Sequence, residues 1–334
     1  MTEIQPVLGL LVAGAVGSAS LPVILRLLEW GGVLDHPNAR SAHVGPVPRG
    51  GGIGLVLAFL IGSEVIVRLP LFSLVAVILM TLLGGADDLH PLKPLLRLGV
   101  QLIAGLLAAA SLWLYLGGGE AELWLMVASG AFLVFLVNAV NFMDGINGIS
   151  GLFGAVAGGW FLLSGEAHSS SLLAVGGAAL LGASLAFLPF NVPRARVFLG
   201  DSGSYGLGAI TFVLIVLSIR VGVPWWLASA PVHLYASDVL VTLARRAWSR
   251  RPLLSAHRDH AYQRLLDRAG WAHLTVAATM ALASVTEIGL LALSDRFGGP
   301  ATRVALRVLA VLVLIAYLGV PSVVLKLNKP PRQA

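Results

Sequence analysis

The stretch LFSLVAVILMTLLGGADD, residues 71–88, indicates the class of fold. Residues 71–86 are mostly apolar, and the run ends on two adjacent carboxylates, Asp87 and Asp88. A run of this kind predicts a helix that crosses a bilayer, since about 20 apolar residues span the hydrocarbon core. Adjacent carboxylates at a membrane boundary repel each other and are costly to desolvate, so they indicate either a solvated helix end or a functional site.

The rest of the chain has the same character. Of its 334 residues, 57% are hydrophobic and 11% are charged, and the mean hydropathy is +0.88. A soluble domain carries about 25% charged residues, so hydrocarbon must surround most of this chain. Apolar segments lie near 6–28, 51–69, 71–86, 98–116, 122–140, 151–165, 171–190, 204–219, 224–243, 273–293 and 304–325. We predict an all-α, polytopic membrane protein of ten or eleven transmembrane helices, forming one integral-membrane domain over 1–334.

Composition also excludes several classes of site. Because the chain has no cysteine, it forms neither disulfides nor a thiolate metal site. Its net charge of +6 could indicate nucleic-acid binding, but no basic stripe with interleaved aromatic residues is present. We therefore expect a lipid bilayer and no nucleic acid among its partners.

The distribution of basic residues predicts the orientation. Sixteen Lys and Arg residues fall on one set of alternate connections and four on the other. The positive-inside rule then puts the N-terminus outside and the C-terminus in the cytoplasm. This orientation places the five most polar connections together on the cytoplasmic side. They lie at about 30–50, 84–97, 138–150, 190–204 and 244–272, and we expect them to build a cleft at the inner leaflet.

Two of these connections combine amides, carboxylates and glycines. In NAVNFMDGING, Asn138, Asn141 and Asp144 recur every third residue and fall roughly on one helical stripe. An amide and a carboxylate suit a hard oxygen-liganded cation, although helix capping and interhelical hydrogen bonds are the alternative. In FNVPRARVFLGDSGS, Asp201 opens a helix whose N–H groups favour phosphate, and capping alone is again the alternative.

The last connection carries HRDHAYQRL, with His257, Arg258 and His260 in the most basic loop. Two histidines three residues apart could bind zinc, but a third strong ligand is missing nearby. Phosphate binding is the better interpretation because guanidinium matches phosphate oxygens. A loop made basic only to set the topology is the remaining alternative.

Taken in order, the five segments resemble the polyprenyl-phosphate N-acetylhexosamine-1-phosphate transferases, the glycosyltransferase 4 family. The resemblance covers about residues 30–265. DHPNARSAHVGPVPRGGG at 35–52 and SAHRDHAYQRL at 255–265 look closest to the undecaprenyl-phosphate transferases that initiate O-antigen synthesis. The run of consecutive histidines in the phospho-N-acetylmuramoyl-pentapeptide transferase is absent. Arg97 matches the basic position of the O-antigen branch better than Lys93 does.

The resemblance implies a reaction and a set of residues. Undecaprenyl phosphate and a UDP-N-acetylhexosamine would give undecaprenyl-diphosphate-sugar and UMP, with Mg²⁺ or alternatively Mn²⁺, at the cytoplasmic face of the bacterial inner membrane. A homodimer is consistent with the family. Asp201 and Asn141 match metal-binding positions, and Asp87 and Asp88 match the paired catalytic carboxylates, with which we group Asp144. The substrate-binding candidates are Phe198 for stacking on uracil, Asn147 and Asn191 for the nucleobase, and Arg97, His257, Arg258 and His260 for the diphosphate and sugar.

Three other functions remain open from the sequence. A transferase of the muramoyl-pentapeptide type shares most of the motifs. A secondary transporter would place its polar residues near the bilayer midplane, whereas here they cluster at one boundary. A scaffold without activity would not need every expected carboxylate. The donor sugar stays open among N-acetylfucosamine, N-acetylquinovosamine and N-acetylglucosamine.

Overall fold

The computed structural model describes residues 4–37, 45–115, 123–252 and 257–327. Residues 38–44 and 253–256, which belong to two of the predicted cytoplasmic loops, lie outside the described residues. The chain divides into two compact units, Met1–Ala228 and Ser229–Ala334. The sequence alone gives no sign of this division.

The first unit is a helical bundle with one small β-ribbon. In chain order its elements are α1 (Ile4–Trp30), β1 (Leu34–Asp35), β2 (Val47–Pro48), α2 (Gly52–Glu64), α3 (Leu71–Leu89), α4 (Pro94–Tyr115), α5 (Leu123–Met143), α6 (Ile149–Ala167), α7 (Ser171–Asn191), α8 (Gly200–Arg220) and α9 (Trp225–Ala228). The strands β1 and β2 are antiparallel, with Leu34 opposite Pro48. The ribbon fixes where the chain enters α2.

Helix α8 forms the core of this unit. It packs against α2, α3 and α5, and nearly all of its side chains are buried. By contrast, α1 exposes large apolar side chains such as Leu11 and Leu27. Apolar side chains on an outer face suit contact with lipid, because the bilayer offers no penalty for them. The arrangement is that of a bundle buried in hydrocarbon around one central helix.

The second unit holds the remaining helices. A 3₁₀ turn at Ala230–Val232 leads into α10 (His233–Trp248), followed by α11 (Ala261–Asp267), α12 (His273–Arg296) and α13 (Pro300–Leu327). His233 Nδ1 of α10 lies 2.7 Å from Glu287 Oε1 of α12, and the Glu287 side chain is 3% exposed. This buried pair ties two helices together.

The predicted all-α polytopic fold is confirmed. Each of the eleven predicted apolar segments coincides with a helix, except that the segment 224–243 is interrupted and forms α9, the 3₁₀ turn and the start of α10. Within the described residues, six helices are long and apolar enough to cross a membrane: α1, α3, α7, α8, α12 and α13. Shorter apolar helices lie at 52–64, 94–110 and 127–143. The chain is therefore a multi-pass membrane protein.

Candidate active site

The end of α3 meets the start of α8. Asp88 Oδ1 accepts a hydrogen bond from the backbone N–H of Asp201 at 2.8 Å, and Asp88 Oδ2 accepts one from the N–H of Ser202 at 2.9 Å. The first N–H groups of a helix have no partner within the helix and carry partial positive charge, so a carboxylate stabilises them. Asp88 thus caps α8 from another helix. The predicted polar connections at 84–97 and 190–204 meet here.

Two glycines allow this close approach. A Cβ at Gly84 would lie 2.1 Å from the carbonyl oxygen of Asp201, so any larger residue would clash with the backbone there. Gly200 has φ of +76°, and a Cβ there would lie 2.6 Å from Asp88 Oδ2. Left-handed backbone is readily adopted only by glycine. The glycines that the sequence places before Asp87 and Asp201 therefore let α3 touch the first turn of α8.

Asp87 faces a different set of donors. Its Oδ1 accepts the backbone N–H of Leu92 at 2.7 Å, and its Oδ2 accepts Arg97 Nη1 at 2.7 Å and the Tyr205 hydroxyl at 3.1 Å. The Asp87 side chain is 4% exposed, whereas Arg97 is 31% exposed. Arg97 thus combines an ion pair with an accessible guanidinium face. Tyr205, on α8, was not among the predicted site residues.

Arg49 links the two acidic positions and was also missed as a site residue. Its Nε lies 2.7 Å from Asp88 Oδ1, and its Nη2 lies 2.7 Å from Asp201 Oδ1. The backbone holds it there, because Arg49 forms a parallel bridge with Phe198 and the N–H groups of Gly50 and Gly51 both bond the Phe198 carbonyl. The sequence signal was the glycine run after Arg49, which permits such backbone contact.

The end of α5 completes the cluster. Asn141 Nδ2 donates to Asp201 Oδ1 at 2.9 Å and to Ser204 Oγ at 3.0 Å. Asp144 accepts a hydrogen bond from Ser150 Oγ at 2.6 Å. Desolvation, with the nearby charge of Asp201 adding to it, raises the pKa of Asp144 to about 7. Asn138, further back on the same helix stripe, donates instead to Gln101 Oε1 of α4 at 2.7 Å, so it joins two helices.

The predicted nucleobase contacts lie beside this cluster and differ in their environment. Asn191 is buried and uses both amide atoms within the protein: Oδ1 accepts from Gly148 N–H, and Nδ2 donates to the Val197 carbonyl at 3.0 Å. It braces two loops. Asn147 is less buried and donates to the Pro193 carbonyl at 3.2 Å. Phe198 is half-buried next to the Arg49 backbone.

The three predicted residues of the last loop belong to the second unit, where two of them have acidic partners. Arg258 forms two hydrogen bonds of 2.7 Å with Asp267, and buried His260 lies 3.2 Å from Asp238 through Nδ1. Burial, together with the charges of His260 and Arg246, lowers the pKa of His257. The sequence did not predict the partners Asp238 and Asp267. In the described residues no group of three or more His, Cys, Asp or Glu side chains is arranged to hold a metal. His257 and His260 are therefore not part of such a group, as the zinc alternative would require.

The charge balance of the first-unit cluster is negative. Asp87, Asp88, Asp144 and Asp201 lie near one another, and the two guanidiniums paired with them belong to Arg49 and Arg97. Magnesium is bound in proteins by one or two carboxylates, with waters and substrate phosphates completing its shell. Asp201 and Asn141 supply a carboxylate and an amide side by side, so the residues fit a hard divalent cation shared with a phosphate-bearing ligand.

Comparison with known proteins shows which family the chain is similar to. The model of glycosyl transferase family 4 matches residues 70–219, which include Asp87, Asp88, Asn141, Asp144 and Asp201. The chain is 30% identical over 290 residues to the decaprenyl-phosphate N-acetylglucosaminephosphotransferase of Mycolicibacterium smegmatis, covering 71% of this chain and 69% of that protein.

Two other relatives are informative. Identity is 28% to the undecaprenyl-phosphate alpha-N-acetylglucosaminyl 1-phosphate transferase of Thermotoga maritima, over 79% of this chain and 82% of the relative. It is 31% to a phospho-N-acetylmuramoyl-pentapeptide-transferase of Leuconostoc mesenteroides, but over only 34% of this chain and 33% of the relative. The chain belongs to glycosyl transferase family 4, among the polyprenyl-phosphate N-acetylhexosamine-1-phosphate transferases.

Proposed function

We propose that this protein transfers an N-acetylhexosamine 1-phosphate, or a deoxy relative such as N-acetylfucosamine or N-acetylquinovosamine 1-phosphate, from a UDP-sugar to undecaprenyl phosphate. The products are undecaprenyl-diphosphate-sugar and UMP. We assign the reaction to the cytoplasmic face of the bacterial inner membrane, as the first membrane step of O-antigen or other cell-envelope polysaccharide synthesis. Membership of a family that acts on polyprenyl phosphates supports the general reaction.

One observation carries the proposal: side chains at the ends of three other helices converge on Asp201. Arg49 precedes α2, Asp87 and Asp88 end α3, Asn141 ends α5, and Asp201 begins α8. A transporter pathway would place such groups near the middle of helices. Charged groups at helix ends instead face the headgroup region, where a lipid phosphate and a water-soluble nucleotide can both arrive.

The proposed step joins two phosphates. An oxygen of the lipid phosphate attacks the β-phosphorus of the UDP-sugar and a P–O bond forms. The bond between that phosphorus and the bridging oxygen breaks, and the electron pair leaves with UMP. If the lipid phosphate carries a proton, a carboxylate must take it. Asp144 suits this role, because a pKa of about 7 favours proton exchange near neutral pH.

Other groups would position and neutralise the reactants. Arg97 and Arg49 are each about one-third exposed. The exposed N–H groups of each guanidinium can donate to a diphosphate while its other N–H groups stay paired with the neighbouring carboxylates. Asp201 and Asn141 would hold Mg²⁺, which when bound neutralises charge on the diphosphate. Asp88, by capping α8, keeps Asp201 in place.

The cytoplasmic orientation rests on two arguments. Within the first unit, the connections at this end of the bundle carry Arg49, Lys93, Arg97, Arg194 and Arg196, whereas those at the other end carry Arg68 and Arg220, as the positive-inside rule requires of a cytoplasmic side. Nucleotide sugars are also made in the cytosol and do not cross a bilayer unaided. Labelling of single cysteines introduced at Lys93 and Arg194 would test it: both should react only from the cytoplasmic side.

The transferase assay uses purified protein, undecaprenyl phosphate, Mg²⁺ and a panel of UDP-sugars labelled in the β-phosphate. The panel contains UDP-N-acetylglucosamine, -galactosamine, -fucosamine and -quinovosamine, and UDP-N-acetylmuramoyl-pentapeptide for the alternative donor. Transfer of label to lipid with equimolar release of UMP is expected for one of them. Asp201→Asn should lower turnover by orders of magnitude, whereas Asp295→Asn, an exposed position in the second unit, should not. Inactivity with every donor in a folded sample would refute the proposal.

A further inference from the structure

The second unit contains a cavity of about 430 Å³ between α10, α11 and α13. Its lining is dominated by arginines that the proposed transfer does not use: Arg245, Arg246, Arg251, Arg264 and Arg268. Among the described residues of the lining, Asp259 is the one carboxylate. A cavity of this volume accommodates a small ligand rather than a single ion.

The positive charge of this arginine cavity is only partly balanced. Arg246 Nη1 lies 2.6 Å from Asp259 Oδ2, while Arg251 and Arg268 approach the same carboxylate at 3.9 and 3.7 Å. Three guanidiniums therefore share one carboxylate. A loop that is basic only to set membrane topology would gain nothing by directing its side chains into one cavity, since like charges repel there.

Arg264 shows that repulsion. It is half-buried and its Nη2 donates to Ser322 Oγ at 3.1 Å. Burial, followed by the charges of Arg245 and Arg268, lowers the pKa of Arg264. A bound anion would reverse this unfavourable interaction. The arrangement is thus stabilised by a ligand that brings negative charge.

We propose that the arginine cavity binds a phosphate group, carried either by an anionic phospholipid headgroup or by a soluble phosphate ester. Planar guanidiniums pair with phosphate oxygens through two parallel hydrogen bonds. The cavity includes Ser322, in the last two turns of the apolar helix α13, and it adjoins the end of α10, where Trp248 is 92% exposed. An exposed tryptophan at the end of a helix is typical of the membrane interface, which is where lipid headgroups lie.

The test is calorimetric titration of the detergent-purified full chain without UDP-sugar or Mg²⁺, so its result does not depend on transferase activity. The probes are dioctanoyl phosphatidylglycerol, dioctanoylglycerol as the same lipid without phosphate, and glycerol 3-phosphate. Saturable binding of the phospholipid alone would identify a lipid headgroup as the ligand. Saturable binding of glycerol 3-phosphate would identify the soluble ester, and either result supports the site.

Variants connect the binding to the cavity. Arg245→Gln, at an exposed position, and Arg264→Gln should each weaken binding about tenfold, the effect of losing one charge-assisted hydrogen bond. Arg250→Gln removes the same charge from the same segment but lies outside the cavity lining, so it should leave the affinity unchanged. Unchanged melting temperatures would show that the variants are folded.

Three results would overturn the proposal. The proposal fails if neither phosphate probe binds, or if dioctanoylglycerol binds as well as the phospholipid. It also fails if Arg250→Gln weakens binding as much as Arg245→Gln does. The last result would mean that net charge, and not the cavity, attracts the anion.

Discussion

Replacing Arg49 tests whether a divalent cation and this guanidinium neutralise the same carboxylates. In Arg49→Gln, two contacts of 2.7 Å are lost, one to Asp88 and one to Asp201. The side chains of Asp88 and Asp201 are 3% and 16% exposed, so both carboxylates would lose a cationic partner in a poorly hydrated place. We therefore expect the variant to be less stable than the wild type when no divalent cation is present.

The expected loss of stability in Arg49→Gln depends on how far its two ion pairs are buried. Two unit charges 4 Å apart interact by about 4 kcal/mol at the dielectric constant of a protein surface. Arg49 is 36% exposed, and exposed ion pairs retain only about 1 kcal/mol, so each of the two contacts is worth about 1–2 kcal/mol, in the lower part of this range. We expect a total loss of about 2–4 kcal/mol. A ligand at 100 times its Kd stabilises a protein by about 2.7 kcal/mol, which is of the same size.

Mg²⁺ should therefore raise the melting temperature of Arg49→Gln more than that of the wild type, because it supplies the charge that the variant lacks. The assay is thermal unfolding of purified protein in EDTA and in increasing Mg²⁺. Arg194→Gln, an exposed arginine of the same unit, is the matched control and should behave as the wild type. Equal Mg²⁺ increments in wild type and Arg49→Gln would refute the reasoning, as would an equal loss of stability in the control.

The described contacts also determine how the protein should respond to removal of Mg²⁺, to pH and to the loss of a buried pair. With EDTA in place of Mg²⁺, equilibrium binding of the UDP-sugar should weaken sharply, because the diphosphate would lie beside carboxylates whose negative charge no Mg²⁺ offsets. An unchanged affinity would contradict this. If ionised Asp144 accepts the proton, activity should rise with pH through about 7, and Asp144→Asn should remove that dependence from the residual rate. His233→Ala leaves buried Glu287 unpaired and should cost about 3–5 kcal/mol in unfolding measurements, partly recovered by adding Glu287→Gln.

Much of the fold could be predicted because hydrocarbon imposes a simple rule on the sequence. Apolar runs reveal the helices, and the structure has a helix at each predicted run. The segment 224–243 departs from the rule. Its apolar character is continuous, but Pro231 lies within the 3₁₀ turn that separates α9 from α10. A proline lacks the N–H that a continuing helix needs, so composition predicted the segment and not its break.

The carboxylates and Asn141 could be predicted as site candidates because they are polar groups at the ends of apolar helices. Their partners could not. Arg49 lies 152 residues from Asp201 along the chain, and sequence spacing gives no measure of such a contact. For Asn191, predicted as a nucleobase contact from its residue type, the structure adds that its amide holds two loops of the protein together. Residue chemistry predicts what a group can bind, and only the fold decides which partner it meets.

The geometry also explains why a cluster with so many acidic groups can exist before substrates arrive. Asp88 is held by two backbone N–H groups and Arg49, and Asp87 by a backbone N–H, a hydroxyl and Arg97, so both charges are satisfied by the protein. Asp201 shares the Arg49 guanidinium with Asp88 and accepts a hydrogen bond from the neutral amide of Asn141. Of these three carboxylates, Asp201 therefore gains most from a cation. A diphosphate would add negative charge beside it, so cation and nucleotide should each favour the binding of the other.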